Sequence, residues 1–495
     1  MTAVLVFSST ISISPSAFAA ACAPIATDIK LSGDIYRVLS FMTVGTCEWT
    51  TPSDLTTVDQ LVVAGGGAGG SSVGSGSAGG GGGGQVISLN SRAISPSTSY
   101  SVVVGNGGVP VTTVTAGGTG GSSSFNGQTA AGGGGGSTTN ANTSIAAPTG
   151  GYAGGGGGSQ AVFRTDGATG SSGYKGGNGL ANNTNANLQS GGGGAGAGGN
   201  GVNGSTSSGG NGGNGIASSI ATGSDIFYGG GGGGGKRMNT GTAGSGTHGG
   251  GNGSLNASTV GAGGDNTGGG GGGAAGQDGT TLVGGRGGSG LVVVRYRIAS
   301  GTPAISGIPA VGAVLTADVS NMTKSMATNF RYKWQWSETS NGTYSDIASA
   351  TNSTYQINTL YRNRFIRLLV FAEDTLGMST QYIATSPTSS VGKGTPNLEL
   401  ALSSSQPTYG ITNNVTISTN NLAGRVKLLA NKKVIPKCQS IRITFATNYL
   451  AICPWRPSLH GRVQITATFY PDDANYNSAL ITSNNYWIQK RTNLR

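Results

Sequence analysis

The chain has 495 residues, room for about two to four domains, and 96 of them are glycine. Charged residues make up only 9 % of it, against about 25 % in an average domain, which excludes a highly charged disordered tail, and the net charge is +11. Fifteen prolines and no strict third-residue glycine period exclude a collagen triple helix. No apolar stretch reaches 18 residues, and two histidines nearly exclude His-based metal or triad chemistry.

In chain order, residues 1–21 read as a secretory signal. An apolar stretch from Ala3 to Phe7 continues through Ile11 and Ile13, and Ala17-Phe18-Ala19 fits the small-x-small cleavage pattern. One departure is that no Lys or Arg precedes the apolar stretch. A buried first strand is the competing reading, and Ala20-Ala21-Cys22 is a weaker lipoprotein-like site. The four cysteines, Cys22, Cys47, Cys438 and Cys453, form two sequence-local pairs. In an exported protein an even count reads as disulfides, so Cys22–Cys47 and Cys438–Cys453 are expected, each worth roughly 2–4 kcal/mol. Lipidation of Cys22 would exclude the first. Metal binding needs a tighter constellation than these offer, and no cofactor is expected.

Positions 61–300 hold 84 of the glycines. Runs of four or more occur at 79–84, 132–136, 154–158, 191–194, 229–235 and 268–273, and the last four start 37, 38 and 39 residues apart. Near-constant spacing suits stacked passes of similar length. Ser, Thr, Asn and Ala fill the gaps, so no ordinary side-chain core is available. Two states remain: a flexible coil, or a bundle of polyglycine II helices whose outward N–H and C=O groups bond neighbouring helices. The flanks decide between them. Leu61-Val62-Val63-Ala64 runs straight into glycine, Gln85 to Leu89 leaves a run, and Tyr100 to Val104 and Leu291 to Tyr296 are β-branched strands. Such strands predict one sheet with the glycine passes as long insertions.

Several segments together carry a recognisable pattern: Phe41-Met42-Thr43, Trp49-Thr50-Thr51-Pro52, Val58 to Gly67, Ser99 to Gly108, Gly117 to Ser124, the run 229–235, and Gly288-Ser289-Gly290-Leu291-Val292-Val293-Val294-Arg295-Tyr296. This pattern resembles the bacterial and phage glycine-rich domain over roughly 35–299. Ala64 and a Cys before Trp49 depart from it slightly. The resemblance implies glycine helices packed on a small β-sandwich, in a family that includes phage tail adhesins and serves binding rather than catalysis.

Other motifs are chance matches. Gly65-Gly66-Gly67-Ala68-Gly69-Gly70 after a strand mimics a dinucleotide fingerprint, but a glycine-rich segment follows where a helix is needed. Gly70-Ser71-Ser72-Val73-Gly74 mimics a nucleophile elbow, with only His248 and His460 as partners and no context for either. Gly230 to Lys236 approximates a phosphate loop, but Arg237 stands at the Ser/Thr position. Gly285-Arg286-Gly287-Gly288 is a single RGG. Lys236, Arg237 and Arg286 are still expected to line a surface, because they interrupt a nearly uncharged span.

Gly301-Thr302-Pro303 recurs as Gly394-Thr395-Pro396, which predicts tandem domains at 300–392 and 393–495 behind a glycine-rich domain at 22–299. Both read as short strands with turns, the sandwich signature. Pro303 to Gly307, Tyr332-Lys333-Trp334 and Thr354-Tyr355 resemble bacterial surface immunoglobulin-like repeats. Tyr409-Gly410, Cys453-Pro454-Trp455 and Tyr470 to Tyr476 resemble a second such type. Asp472-Asp473 is read as a loop, since one carboxylate pair is too few ligands for calcium. Residues 393–495 carry 12 basic and 3 acidic residues, a net +9. Lys432, Lys433, Lys437, Arg442, Arg456 and Arg462 form a candidate polyanion-binding face, with a merely solvated face as the competing reading.

The expectation is therefore an all-β, non-enzymatic, secreted or cell-surface protein: a glycine-rich domain with polyglycine II-like insertions, then two immunoglobulin-like sandwiches. Its expected role is adhesin-like, with a cell-surface glycan or protein as partner, anionic envelope polymers on the basic domain, and no specific nucleic acid. The alternative is a structural envelope component that self-associates. An ice or mineral binder is more distant.

Overall fold

The computed structural model describes residues 23–140, 151–155, 165–182, 184–185, 188–237, 241–324 and 329–490. Residues 1–21, read above as a secretory signal, and Cys22 lie outside them. The described residues form strands and short 3-10 turns, so the all-β expectation holds. Two compact units emerge. The first runs to Gly301 and includes Thr323–Phe330 and Phe371–Tyr382; the second is Thr302–Met322, Arg331–Val370 and Ile383–Arg495.

The first unit holds strands β1 (Ile25–Leu31), β2 (Asp34–Phe41), β3 (Gly45–Thr50), β4 (Thr57–Val63), β5 (Ser72–Ser77), β6 (Val86–Ala93) and β7 (Ser99–Val104). β8 (Ser123–Phe125), β9 (Gln128–Ala130), β10 (Thr139–Asn140), β11 (Ile216–Ser218), β12 (Ile226–Tyr228), β13 (Ala275–Leu282) and β14 (Leu291–Gly301) follow. One sheet has the order β1-β2-β14-β4-β6, and a second has β3-β7-β8-β9. Buried Trp49 on β3 meets Phe125 on β8 at 6.0 Å and Tyr296 on β14 at 6.5 Å, closing the two sheets into a sandwich. The single sheet expected from the sequence needs correcting here. β4, β6 and β14 do share one sheet, but β7 pairs with β3, Trp49 opposite Tyr100, because two amphipathic sheets are needed to enclose a core.

The glycine runs among the described residues are polyglycine II helices. From Gly65 to Gly70, successive amides donate in turn to three neighbouring passes: Gly65 and Ala68 to Gly121 and Gly118, Gly66 and Gly69 to Gly288 and Gly285, Gly67 and Gly70 to Gly82 and Gly79. All six bonds are 2.8–3.0 Å. A donor direction that repeats every third residue is the signature of three residues per turn. Gly79 to Gly84 repeats the scheme with Ser137 and Gly134, Gly192 and Ala195, and Gly271 and Gly268. Successive long runs are neighbours, since Gly194 donates to Gly232 and Gly273 to Gly233, as the 37–39-residue spacing predicts. Glycine is obligatory at the contacts: a Cβ on Gly66 would land on the Gly269 carbonyl. At one end the passes join the sandwich; beyond Ser71 a small sheet, β10-β5-β13, begins. Val38, Leu61, Val63, Tyr152, Ile220 and Tyr228 pack as a side-chain core of this unit.

In the second unit, strands Ala304–Ser306, Val314–Asp318 and Thr354–Gln356 form one sheet. Ser345–Asp346, Asn329–Ser337, Phe365–Asp374 and Gly377–Ala384 form another, of which Asn329–Phe330, Phe371–Asp374 and Gly377–Tyr382 group with the first unit. Fully buried Trp334 lies 5.8 Å from Tyr355 of the first sheet, and its indole N–H donates to the Asn352 carbonyl. Further on, Leu398–Leu402, Asn413–Thr419 and Leu450–Trp455 face a sheet built on Gly424–Ala430 and Ile465–Pro471. Val415, Ile417 and Ala451 from one side meet Val426, Leu428 and Phe469 from the other. Cys438 and Cys453 are disulfide-bonded, as expected. Cys47 is disulfide-bonded as well.

Candidate functional site

The motif look-alikes resolve into scaffold. Residues 65–70 are a glycine helix leading into β5, and the Ser72 hydroxyl, fully buried, donates to the Gly76 carbonyl. His248 Nδ1 accepts the Gly215 amide at 3.1 Å while its ring stacks on Phe227 at 4.2 Å. His460 lies edge-on to Tyr409. Both histidines are thus engaged in packing.

Lys236 and Arg237 correct the sequence reading, because both are buried rather than lining a surface. Lys236 Nζ donates to the Gln189 carbonyl and Arg237 to the Gln189 side-chain oxygen. Gln189 supplies an acceptor to each of them in place of water. Burial lowers the Lys236 pKa from its ordinary value. Arg286 is half-exposed and paired with Asp265 at 2.5 Å.

All six basic candidates of the last hundred residues are exposed. Asn431 and Lys432, both with positive φ, form the turn that joins Gly424–Ala430 to Lys433–Val434. Lys433 and Arg456 are brought together on a cleft of about 350 Å³ whose wall includes Val434 and Leu459. Lys432 adjoins it in sequence. Lys437 occupies its own left-handed turn, and Arg462 lies opposite Trp487 across a strand pair. Arg442 is ion-paired with Asp472 at 2.7 Å, and Asp473 caps the Asn475 amide at 2.8 Å, as a loop reading of this acidic pair requires.

A second site escaped the sequence reading. At one end of the β1-β2-β14-β4-β6 sheet, a cleft of about 680 Å³ is floored by Tyr36, Asp59 and Arg295. The register puts Asp59 opposite Arg295, and Arg297 opposite Tyr36. Arg295 is buried; its Nε and Nη2 reach Asp59 Oδ2 at 2.9 and 2.8 Å, and its Nη1 donates to the Ser219 carbonyl. Its guanidinium lies 5.5 Å from the Tyr36 ring centroid. The other Asp59 oxygen accepts the Ser91 amide at 2.9 Å. The available signal was Arg295 interrupting the apolar run Leu291–Tyr296.

Behind that floor, Arg37 is held between Asp28, at 2.9 Å, and Asp374, all three side chains nearly sealed from solvent. Burial opposes the Arg37 charge, but Asp374 and Asp28 outweigh it and raise its pKa. Burial also raises the Asp374 carboxyl pKa, with Arg37 pulling against it. The Tyr296 hydroxyl, buried beside them, is pushed well above the usual phenol range by desolvation and then by Asp374.

A family model described as a glycine-rich domain matches residues 42–297, just over half of the chain. The chain belongs to the glycine-rich domain family. The match spans the stretch from the end of β2 to Arg297 on β14, so this glycine-rich domain contains both the array and the cleft's Asp59–Arg295 pair. No curated protein matches the chain. Among solved structures, the chicken interferon gamma receptor alpha chain is similar at 13 % identity, over 38 % of this chain and 98 % of its own, with a TM-score of 0.25. The FN1–FN3 domains of chicken CNTN1 are similar at 11 % identity, over 41 % and 73 %, with a TM-score of 0.14. Scores of this size leave the second unit to be read from its own strands.

Proposed function

We propose that the protein is an exported, non-enzymatic, adhesin-like protein of bacterial or phage type. In this reading the glycine-rich domain contacts a foreign cell surface or glycan. Two immunoglobulin-like domains at 300–392 and 393–495 carry it, and the basic one holds anionic envelope polymers. The observation that supports it best is the period-three hydrogen bonding of the glycine runs. It spends the backbone polar groups of the glycine passes on holding shape alone, which suits a rigid display scaffold. The second support is the cleft shared by Lys433 and Arg456, where two cations meet apolar wall.

The test is binding of the purified full chain to intact foreign cells, isolated walls and immobilised copies of itself, at low and high salt. Foreign cells are expected to bind. Walls are expected to bind in a salt-sensitive way and to lose binding with Lys433→Glu and Arg456→Glu. Binding to itself alone overturns the adhesin reading. It would favour a structural envelope component, a role that the exposed Phe445, Leu459, Leu480 and Trp487 suit.

A further inference from the structure

We infer that the cleft floored by Tyr36 and Arg295 binds a neutral, hydroxyl-rich saccharide, the terminal pyranose of a surface glycan. The inference rests on the adhesin reading and gives it a location: on the sandwich, not on the glycine array.

Four observations converge. First, the sheet is distorted at this spot on both sides. The β4–β6 register slips between Val58 and Gln60, and the β14–β2 register slips between Arg297 and Ala299. Bulges re-aim side chains and gather beside functional sites. At the first slip Ser91 takes φ +53°, a left-handed backbone uncommon for serine, and Asp59 anchors its amide. A distortion held by a largely buried ion pair gives a pre-formed surface.

Second, Tyr36 is half-buried, its ring set against a guanidinium that is itself fixed by Asp59 and Ser219. A fixed aromatic body with a polar tip is suited to the apolar face and hydroxyl edge of a sugar ring. Third, the open rim is neutral hydrogen-bonding chemistry: Thr56, Thr57, Asn90 and Ser91 are all exposed. Fourth, the charges cancel. Arg295 is matched by Asp59 and Arg297 by Asp34 at 3.3 Å, while Asp54 and Lys324 oppose one another in sign on the lining. With its arginines matched by carboxylates, the site carries little net charge to recruit an anion, so phosphates and acidic polysaccharides gain little here. A volume of about 680 Å³ lies within the roughly 300–1,000 Å³ of small-ligand sites.

The experiment uses the full chain and proteins decorated with glucose, galactose, mannose or N-acetylglucosamine, with a glucuronate-decorated protein as the acidic comparison. At least one neutral probe is expected to bind. Tyr36→Ala and Asn90→Ala are each expected to weaken it about tenfold or more, the equivalent of about 1.4 kcal/mol. Tyr36→Phe, which keeps the ring, is expected to retain most of it. Asn90 is exposed, so its variant tests the site even where Tyr36→Ala impairs folding. Binding of the acidic probe alone, binding of none, or unchanged binding by the folded variants overturns the inference. The same variants on intact cells separate the two claims. Cells bound equally by wild type and cleft variants overturn the cleft and leave the adhesin reading. Sugars bound through the cleft with no cell bound overturn the adhesin reading and leave the cleft.

Discussion

Arg295 and Asp59 face each other across β14 and β4, with one carboxylate oxygen receiving two guanidinium N–H groups at 2.8 and 2.9 Å. The next residue along the strand, Tyr296, is registered opposite Arg37 on β2 and belongs to the second charged cluster. Successive side chains of one strand thus serve two networks on opposite faces of the sheet, as the two-residue period of a strand requires.

The Arg37 cluster is the more stability-critical of the two. Arg37→Leu leaves Asp28 and Asp374 buried without their cation, and removing one partner of a buried pair costs about 3–5 kcal/mol. Asp374 already has a raised carboxyl pKa from burial. Without Arg37 it rises further, so the native state takes up a proton more readily than the unfolded chain. The deficit in urea denaturation is therefore expected to be largest near pH 7 and to narrow as the pH falls. An equal deficit at every pH would show that the lost charge pairing is not its cause.

Lys236 carries the opposite sign of pH dependence. Its pKa is depressed in the folded protein by burial, while the unfolded value is about 10.4. The native state carries the penalty of a buried ammonium at neutral pH and sheds it as the pH rises through the folded pKa towards the unfolded one. Stability is expected to climb over that window in the wild type and to lose this climb in Lys236→Met. Parallel stability curves for the two proteins would contradict the burial.

Gly66→Ala drives a methyl into the Gly269 carbonyl, and backbone on both sides leaves no flexible group to yield. A loss of about 3 kcal/mol or more is expected. Gly199→Ala is the matched control: its Cβ would find its nearest neighbour at 3.7 Å, and a change within about 0.5 kcal/mol is expected. Thermal melts of both variants decide the point, and similar losses at the two sites would count against close helix packing.

The Cys438–Cys453 bridge spans 15 residues and is expected to contribute about 3 kcal/mol. A Cys438→Ser, Cys453→Ser double variant should melt earlier than wild type, and added reductant should leave that second-unit transition unchanged. An unshifted transition would show that the two facing sheets suffice.

Much of this was readable from residue types. Leu61-Val62-Val63-Ala64 feeding Gly65 predicted a strand that becomes a glycine helix, and it does. What the sequence withheld was spatial. Gly65, Gly66 and Gly67 donate to passes near 121, 288 and 82, partners that glycine spacing cannot name. Tyr100–Val104 looked like Leu291–Tyr296, and only the pairing with β3 shows that it belongs to the facing sheet. Lys236 and Arg237 were misplaced because charged side chains are rarely buried, and the Gln189 acceptors that receive them come into reach only once the array has formed. The cleft was hidden because Tyr36, Asp59 and Arg295 are single residues far apart in the chain, joined by register alone.

Both binding proposals need the glycine span to be a packed scaffold, so native-state hydrogen exchange of the full chain is the most direct test. The amides of Gly65–Gly70, Gly79–Gly84 and Gly230–Gly235 are hydrogen-bonded inside the bundle. They are expected to exchange as slowly as the core strands β4 and β14, as a single cooperative unit. Exchange of these glycines at the rate of an unstructured chain, with β4 and β14 still protected, would contradict the account and leave the span a linker.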